Sequence, residues 1–95
     1  MARKTVDFTK AGASQLPNDR PVVYEIKRKS GNTNYVGVAK AHRVQERILE
    51  HLQNGEDRVP GAKVMIQPMP TIADARRKEK EIIAVKQPKY NEKGT

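Results

Sequence analysis

The sequence predicts an α+β fold, with helices packed on a small three-stranded antiparallel sheet. Apolar and polar residues alternate in segment 21–27, as they do in half-buried strands. Residues 35–40 are expected to form a second strand, and a short third strand occupies residues 62–69. In segments 41–52 and 72–83, apolar residues recur instead at helical spacing. The order strand, strand, helix, strand, helix indicates one sheet with the two helices packed against it.

The first two strands are predicted to form a hairpin. Val22, Tyr24 and Ile26 share one face of the first strand. The polar segment 28–34 that follows has a glycine and an asparagine at its centre, as tight turns often do. The second strand starts at Tyr35. Antiparallel pairing therefore predicts that Tyr24 and Tyr35 lie close together at the surface of the sheet.

The first helix is expected from about Ala41 to Leu52. Val44, Ile48 and Leu52 lie four residues apart and predict its buried stripe. A second stripe, one position away, is basic and consists of Arg43, Arg47 and His51. Side chains at this boundary of core and solvent either form a solvated edge or line a binding site.

The second helix carries a carboxylate where an apolar residue is expected. Thr71 and Asp74 resemble a capping box at its start. Its apolar face consists of Ile72, Ala75, Ile82 and Ile83. Glu79 lies on the same face. Because an unpaired buried carboxylate is costly, we expect Glu79 to pair with a cation, bind a metal or line a cleft, unless it reaches solvent past Arg76 or Lys80.

Composition narrows the functional classes. The 95 residues include 19 Lys and Arg against 11 Asp and Glu, a formal net charge of +8, so nucleic acid is the first partner to consider. Aromatic residues make up only 4%, which disfavours a membrane-surface binder. The sequence shows neither a spanning apolar run nor a signal peptide, so we expect no membrane association and a cytoplasmic location. Without cysteine, any metal is expected to be Mg²⁺ or Mn²⁺ held by carboxylates and water.

The sequence patterns divide the chain into an N-terminal region without a predicted element and a longer region that contains all the predicted strands and helices. Residues 1–20 carry several Lys and Arg residues and predict no definite element, so they are treated as an N-terminal extension of uncertain structure. The patterns described above all lie within residues 21–95, which are expected to form the functional domain.

The motifs of this domain resemble those of the GIY-YIG nuclease family. The segment "VVYEI" followed by "YVGVA" is similar to the paired GIY and YIG elements of that family. Arg47 and His51 match the helix arginine of the family and the histidine that often follows it a turn later. Glu79 matches the glutamate, and Asn91 in "PKYN" matches the asparagine near the end of the domain. The resemblance covers about residues 21–91 and implies a GIY-YIG-like fold.

This resemblance implies a metal-dependent endonuclease that hydrolyses phosphodiester bonds in DNA, with RNA as a further candidate. Glu79 would bind Mg²⁺ or Mn²⁺, and Arg47 would stabilise charge on the scissile phosphate. Tyr24 would act as general base, Tyr35 would hydrogen-bond to it or to the attacking water, and His51 would relay the proton. Low sequence specificity or recognition of DNA structure is expected, with a protein partner or a homodimer as a further source of specificity.

The other basic residues predict sequence-independent contacts with the DNA backbone. The predicted nucleic-acid-binding residues are Lys27, Arg28, Lys29, Arg43, Arg76, Arg77, Lys78 and Asn91. For Asn91, a structural role that holds the C-terminal segment against the sheet is equally open.

Departures from the family motif leave alternatives open. Val22 replaces the leading glycine, and Val38 stands where a polar residue often follows the second glycine. The connection from Tyr35 to the helix is a residue or two longer than expected, so Arg43 competes with Arg47 for the role of the family's arginine. These departures favour a second hypothesis, a nucleic-acid-binding module that keeps the fold without catalysis, in which the tyrosines are aromatic partners across the hairpin. An RNA-binding structural protein would fit the charge but leave the inward glutamate unexplained.

Overall fold

A computed structural model of the chain, which describes residues 3–53, 59–88 and 90, contains a four-stranded antiparallel sheet and three helices. The elements in chain order are β1 (Lys4–Asp7), α1 (Lys10–Ser14), β2 (Val22–Lys27), β3 (Thr33–Ala39), α2 (Val44–Leu52), β4 (Lys63–Pro68) and α3 (Ile72–Lys86). The strand order is β1-β4-β2-β3, which leaves β1 and β3 at the edges of the sheet. The α+β class is therefore confirmed.

The prediction of three strands was wrong, because the N-terminal segment supplies a fourth. β1 pairs with β4, and Val6 is the buried residue of this strand. A strand of four residues with three exposed positions lacks the sustained alternation that identifies the others. Phe8, Ala13 and Leu16 are buried in the same core as the central strands. The segment from β1 to Leu16 thus contributes to the hydrophobic core of the domain.

The β2–β3 hairpin has the predicted connection, and its register places the tyrosines diagonally. Gly31 has a φ of 97°, the left-handed conformation that favours glycine in tight turns. Tyr24 lies opposite Gly37, and Tyr35 lies opposite Ile26. The two tyrosines therefore belong to neighbouring cross-strand pairs on one face of the sheet, where aromatic side chains still reach each other.

Both faces of β2 are covered, whereas the sequence predicted a half-buried strand. Val22, Tyr24 and Ile26 belong to the main core, together with residues of α1 and α2. Val23 and Glu25 point to the opposite face and are also buried. α3 lies against β3 and β2 and carries Lys86, which forms an ion pair with Glu25. The helices therefore enclose the sheet from both sides, with α1 and α2 on one face and α3 on the other.

α3 begins as the sequence predicts. The hydroxyl of Thr71 accepts a hydrogen bond from the backbone N–H of Asp74 at 3.1 Å, which caps the first turn. Ala75 is its fully buried residue, and the rest of its sheet-facing side is half-buried or exposed. Within the described part of the chain, none of the helices has the length and apolar character needed to cross a membrane.

Candidate active site

Three aromatic rings meet on the face of the sheet that α2 covers. The ring centroids of Tyr24 and Tyr35 are 6.2 Å apart, and those of Tyr35 and His51 are 4.8 Å apart. The hydroxyl oxygen of Tyr24 lies 2.7 Å from Nε2 of His51, within hydrogen-bond distance. We call these three residues the aromatic cluster. It joins a central strand, an edge strand and a helix at one point.

Gly37 makes room for the aromatic cluster. A Cβ atom at this position would lie 2.5 Å from the hydroxyl oxygen of Tyr24 and 2.9 Å from a ring carbon of Tyr35. Because Gly37 lies opposite Tyr24, the tyrosine ring folds over its backbone, a path that any larger residue would block. The glycine of the "YVG" segment is thus part of the site. The motif includes it, but its role depends on cross-strand register.

The N-terminal segment holds α2 in place. Asn18 Oδ1 accepts hydrogen bonds from the backbone N–H groups of Val44 at 2.8 Å and Gln45 at 3.3 Å, so it satisfies two donors at the start of the helix. The side-chain amide of Gln45 in turn donates to the carbonyl of Leu16 at 2.7 Å. Sequence reasoning missed Asn18, because a capping residue 26 positions away leaves no local signal.

Of the two candidate arginines, Arg47 lies in the site. It is half-buried and interacts electrostatically with Tyr24. Arg43 precedes the first residue of α2, is exposed, and forms an ion pair with Glu46 at 3.0 Å. Arg47 also forms an ion pair, with Glu50 at 2.5 Å. Burial alone would lower the pKa of Arg47, but Tyr24 and Glu50 raise it above its ordinary value, so the guanidinium stays charged.

Tyr24 and His51 are more deeply buried than expected. The sequence placed Tyr24 at the surface of the sheet and His51 at the boundary of core and solvent, yet they are 1% and 2% exposed. The reason is that α1 and the segment after it cover this face. Burial raises the pKa of Tyr24 well above its ordinary value of 10.0; Tyr35 raises it further, Arg47 lowers it, and Glu79 raises it. Tyr24 is therefore a neutral phenol at ordinary pH.

Glu79 lies on the other side of the sheet from the aromatic cluster, and its charge contributes to the raised pKa of Tyr24. Its side chain is half-buried on the side of α3 that faces β3, as the sequence predicts. Partial burial raises its pKa, and Arg76 and Lys80 oppose that shift. Glu79 forms neither a hydrogen bond nor a salt bridge with any residue that the structure describes. Among the described residues, this carboxylate therefore has no hydrogen-bond or ion-pair partner that would compete with a metal ion.

A groove runs along the open edge of β3 between α2 and α3. We call it the edge groove. Its volume is about 230 Å³, and its lining consists of Val38, Ala39, Lys40, Arg43, Arg47, Ile72 and Arg76. Four of these residues are cations, which come from α2, from α3 and from the connection between β3 and α2, so the groove attracts anions. Arg76 lies one turn before Glu79 on α3, so the helix that carries the carboxylate also forms one wall of the groove. Lys40 was not predicted, because it follows β3 without any motif of its own.

The predicted nucleic-acid-binding residues that the structure describes lie in three places. Arg43 and Arg76 line the edge groove, whereas Lys27, Arg28 and Lys29 lie at the turn of the hairpin. Arg77 and Lys78 of α3 form exposed ion pairs with Asp74 at 3.5 Å and Glu81 at 3.8 Å. Exposed pairs of this kind are weak and exchange readily for phosphate. Asn91 lies outside the described residues.

The carboxylate of Glu79 suits a Mg²⁺ ion that keeps most of its waters. Among residues 3–53, 59–88 and 90, no three His, Asp or Glu residues come close enough together to enclose a metal. Mg²⁺ is commonly bound by one or two carboxylates together with water and substrate phosphate, so a single unpaired carboxylate beside a cationic groove fits this mode. A metal held entirely by protein ligands does not fit the described residues.

Comparison of the chain with models of known protein families and with curated proteins finds no match.

Proposed function

We propose that the protein is a metal-dependent endonuclease that hydrolyses phosphodiester bonds in DNA. The observation that carries the proposal is the surroundings of Tyr24, whose hydroxyl lies 2.7 Å from His51 and interacts with the charges of Arg47 and Glu79. A hydroxyl that can pass on a proton, a histidine that can accept it, a cation and a carboxylate are the groups that this hydrolysis uses. Tyr24, His51 and Arg47 lie together on one face of the sheet, and Glu79 influences Tyr24 from the other face. Together with the cationic edge groove beside Arg47, this arrangement supports the proposal.

In the proposed reaction Tyr24 acts as a neutral relay. With the His51 proton on Nδ1, the Tyr24 hydroxyl donates to Nε2 and its oxygen accepts a proton from the attacking water. The phenolic proton passes to His51 as the water proton arrives, so no tyrosinate forms. This route is consistent with the raised pKa of Tyr24, which makes a free phenolate unavailable near neutral pH. Tyr35, which is half-exposed, hydrogen-bonds the water.

Arg47 and Glu79 carry the electrostatic part of the proposal. Arg47 exchanges part of its contact with Glu50 for the non-bridging oxygens of the scissile phosphate, where charge grows in the transition state. Glu79 holds one Mg²⁺ or Mn²⁺ ion, which when bound polarises the phosphate and stabilises the leaving oxygen. The cations of the edge groove bind flanking phosphates, so binding falls steeply with salt.

The proposal is tested by cleavage of supercoiled plasmid and of a flapped oligonucleotide, with Mg²⁺ or Mn²⁺ and with a chelator. We expect Glu79→Gln and Arg47→Ala each to reduce the rate by at least about 10²-fold, the usual scale for one transition-state charge contact. Glu81→Gln is the matched control, because Glu81 lies two residues further along α3 and its side chain is 62% exposed. Its rate should stay within about threefold of wild type.

A second measurement tests the metal ligand without relying on activity. A ligand that binds only the folded state raises the thermal midpoint. Mg²⁺ should therefore raise the midpoint of the wild type and of Glu81→Gln but not that of Glu79→Gln. Cleavage by Glu79→Gln within threefold of wild type, or an equal Mg²⁺ response in both variants, would refute the assignment of Glu79.

The alternative is a nucleic-acid-binding module without catalysis. It is favoured by the Arg47–Glu50 ion pair, which occupies part of the guanidinium, and by the 1% exposure of Tyr24, which limits access of water to its hydroxyl. This alternative predicts tight, salt-sensitive DNA binding by wild type and Glu79→Gln alike, with no cleavage under any metal condition.

A further inference from the structure

A second pocket lies at the turn end of the β2–β3 hairpin. It has a volume of about 370 Å³, and its walls are formed by the side chains of Arg28, Lys29, Asn34 and Tyr90 and by residues 60–62. We call it the hairpin pocket. It shares no residue with the aromatic cluster or the edge groove. Pockets of this volume are the size that proteins use for small-molecule ligands.

The hairpin pocket contains an arginine, Arg28, whose orientation is fixed by a hydrogen bond with the buried Asn34. Asn34 is 3% exposed, and its amide is engaged on both sides: Oδ1 accepts from Arg28 Nε at 2.6 Å, and Nδ2 donates to the carbonyl of Pro60 at 2.7 Å. Arg28 is exposed, and its terminal nitrogens form no hydrogen bond with any described residue. A guanidinium held through Nε with both terminal nitrogens available is arranged for bidentate binding of a phosphate.

The other walls of the pocket suit a nucleobase. Tyr90 is half-buried: its ring packs against the core cluster and also lines the pocket. Lys29 adds a second exposed cation, and the described lining contains no carboxylate. Aromatic rings beside cations are the common arrangement for unpaired nucleotides, because the ring stacks on the base while the cations hold the backbone.

We propose that the hairpin pocket binds one nucleotide of a single-stranded DNA segment, with Arg28 and Lys29 on its phosphate and Tyr90 against its base. Asn34 directly precedes Tyr35 in β3, so a strand bound at the aromatic cluster has only a short path to the pocket. A base within a duplex is stacked on its neighbours and does not offer its face to Tyr90. This inference rests on the proposed nuclease function for its substrate, and it adds that the substrate has unpaired nucleotides beside the scissile bond.

The test measures binding with a chelator present, so that cleavage plays no part. Fluorescence anisotropy compares a labelled oligothymidine with a duplex of equal length, for wild type, Arg28→Ala and Tyr90→Leu. We expect each variant to bind the single strand at least about fivefold more weakly, while its duplex affinity changes by less than about twofold. Arg3→Ala is the matched control, because Arg3 is an exposed arginine beside β1, at the opposite edge of the sheet. Arg3→Ala should weaken binding of the single strand and of the duplex equally, and only slightly.

Conservative variants separate the pocket from a structural effect. Tyr90→Phe keeps the stacking ring and should bind the single strand like wild type, whereas Arg28→Lys keeps the charge but loses the fork and should bind more weakly. Equal losses on single strand and duplex, or a loss for Arg28→Ala no greater than that for Arg3→Ala, would overturn the proposal.

Cleavage assays distinguish this inference from the function on which it rests. If wild type cuts flapped DNA and Arg28→Ala binds the oligothymidine normally, the pocket assignment is wrong and the nuclease proposal stands. If wild type cuts no substrate with any metal but Arg28→Ala loses single-strand binding, the nuclease proposal fails and the pocket assignment stands.

Discussion

Replacement of Gly37 by alanine is expected to displace Tyr24 and disable the site. The added methyl group would lie 2.5 Å from the Tyr24 hydroxyl oxygen and 2.6 Å from Cζ of the same ring. Gly37 is not among the residues with positive φ, so the alanine backbone itself is unstrained and the effect arises from the collision. Tyr24 is 1% exposed, which means that its ring cannot swing into solvent to avoid the methyl group.

The size of the effect follows from these distances. Ordinary contact begins at 3.4 Å, so the hydroxyl must retreat by about 0.9 Å, and its 2.7 Å hydrogen bond with His51 is lost or distorted. Overpacking of this kind costs about 1–3 kcal/mol, and a lost hydrogen bond adds about 1 kcal/mol. The free energy of unfolding should therefore fall by about 2–4 kcal/mol. In a domain of this size that lowers the thermal midpoint by at least about 8 °C.

Thermal unfolding followed by circular dichroism, together with plasmid cleavage, measures both consequences. Cleavage by Gly37→Ala should fall at least about 10²-fold. A double-mutant cycle with Tyr24→Leu isolates the collision with Tyr24, because Gly37→Ala should cost at least about 1 kcal/mol less once that ring is gone. The cost that remains comes from the Tyr35 ring carbon, which lies 2.9 Å from the position of the added methyl group. The role assigned to Gly37 is refuted if the changes in unfolding free energy caused by Gly37→Ala and Tyr24→Leu are additive. It is also refuted if the thermal midpoint of Gly37→Ala lies within 2 °C of that of the wild type.

Three further predictions concern the surroundings of the site. Asn18→Ala should lower the unfolding free energy by about 1–2 kcal/mol in denaturant titrations, because α2 loses its cap, whereas Asn18→Asp should retain most of the stability. Lys86→Met should cost about 1–3 kcal/mol at pH 7, because Glu25 stays buried without its cation. Burial alone would raise the pKa of Glu25, but hydrogen bonds from Lys86 and Thr33 hold this pKa below its ordinary value of 4.5. The stabilisation by the Lys86–Glu25 pair is therefore present above pH 4.5 and is lost as the pH falls through the pKa that Glu25 has in the folded protein. The pKa of Tyr24 is raised in the folded state, so above pH 10 the unfolded chain loses this proton more readily than the folded protein. The free energy of unfolding of the wild type should therefore fall above pH 10 by up to about 1.4 kcal/mol per pH unit relative to that of Tyr24→Phe. Parallel plots of unfolding free energy against pH for the two proteins would contradict this prediction.

Local periodicity was sufficient to predict much of the fold. The hairpin, the strand at Lys63–Pro68 and both longer helices have the expected order because each has a sustained apolar pattern, and Thr71 caps its helix as its spacing with Asp74 predicts. β1 and α1 were missed because four- and five-residue elements carry too few buried positions to show a period. Their absence from the predicted fold also explains why Tyr24 and His51 were placed too near the surface.

The candidate site was predictable only where residue type and spacing carry the information. Helical spacing placed Glu79 on the side of α3 that faces the sheet, and the family resemblance favoured Arg47 over Arg43. The roles of Gly37 and Asn18 depend on the register between strands and on a contact between distant segments, which no local pattern encodes. The exposure of Arg43 and the partial burial of Arg47 likewise depend on where α2 begins and how it packs.

The pairing of β1 with β4 has a consequence for how the chain acquires its structure. Lys4 lies opposite Ile66, so β1 has no partner strand until β4 has been synthesised. Contacts between such distant positions slow folding, because a long loop must close before they form. The segment between β1 and β2 also caps the helix that carries Arg47 and His51. The helix that carries these two residues is therefore expected to settle late, so that nascent or truncated chains bear the sequence motifs without a formed site.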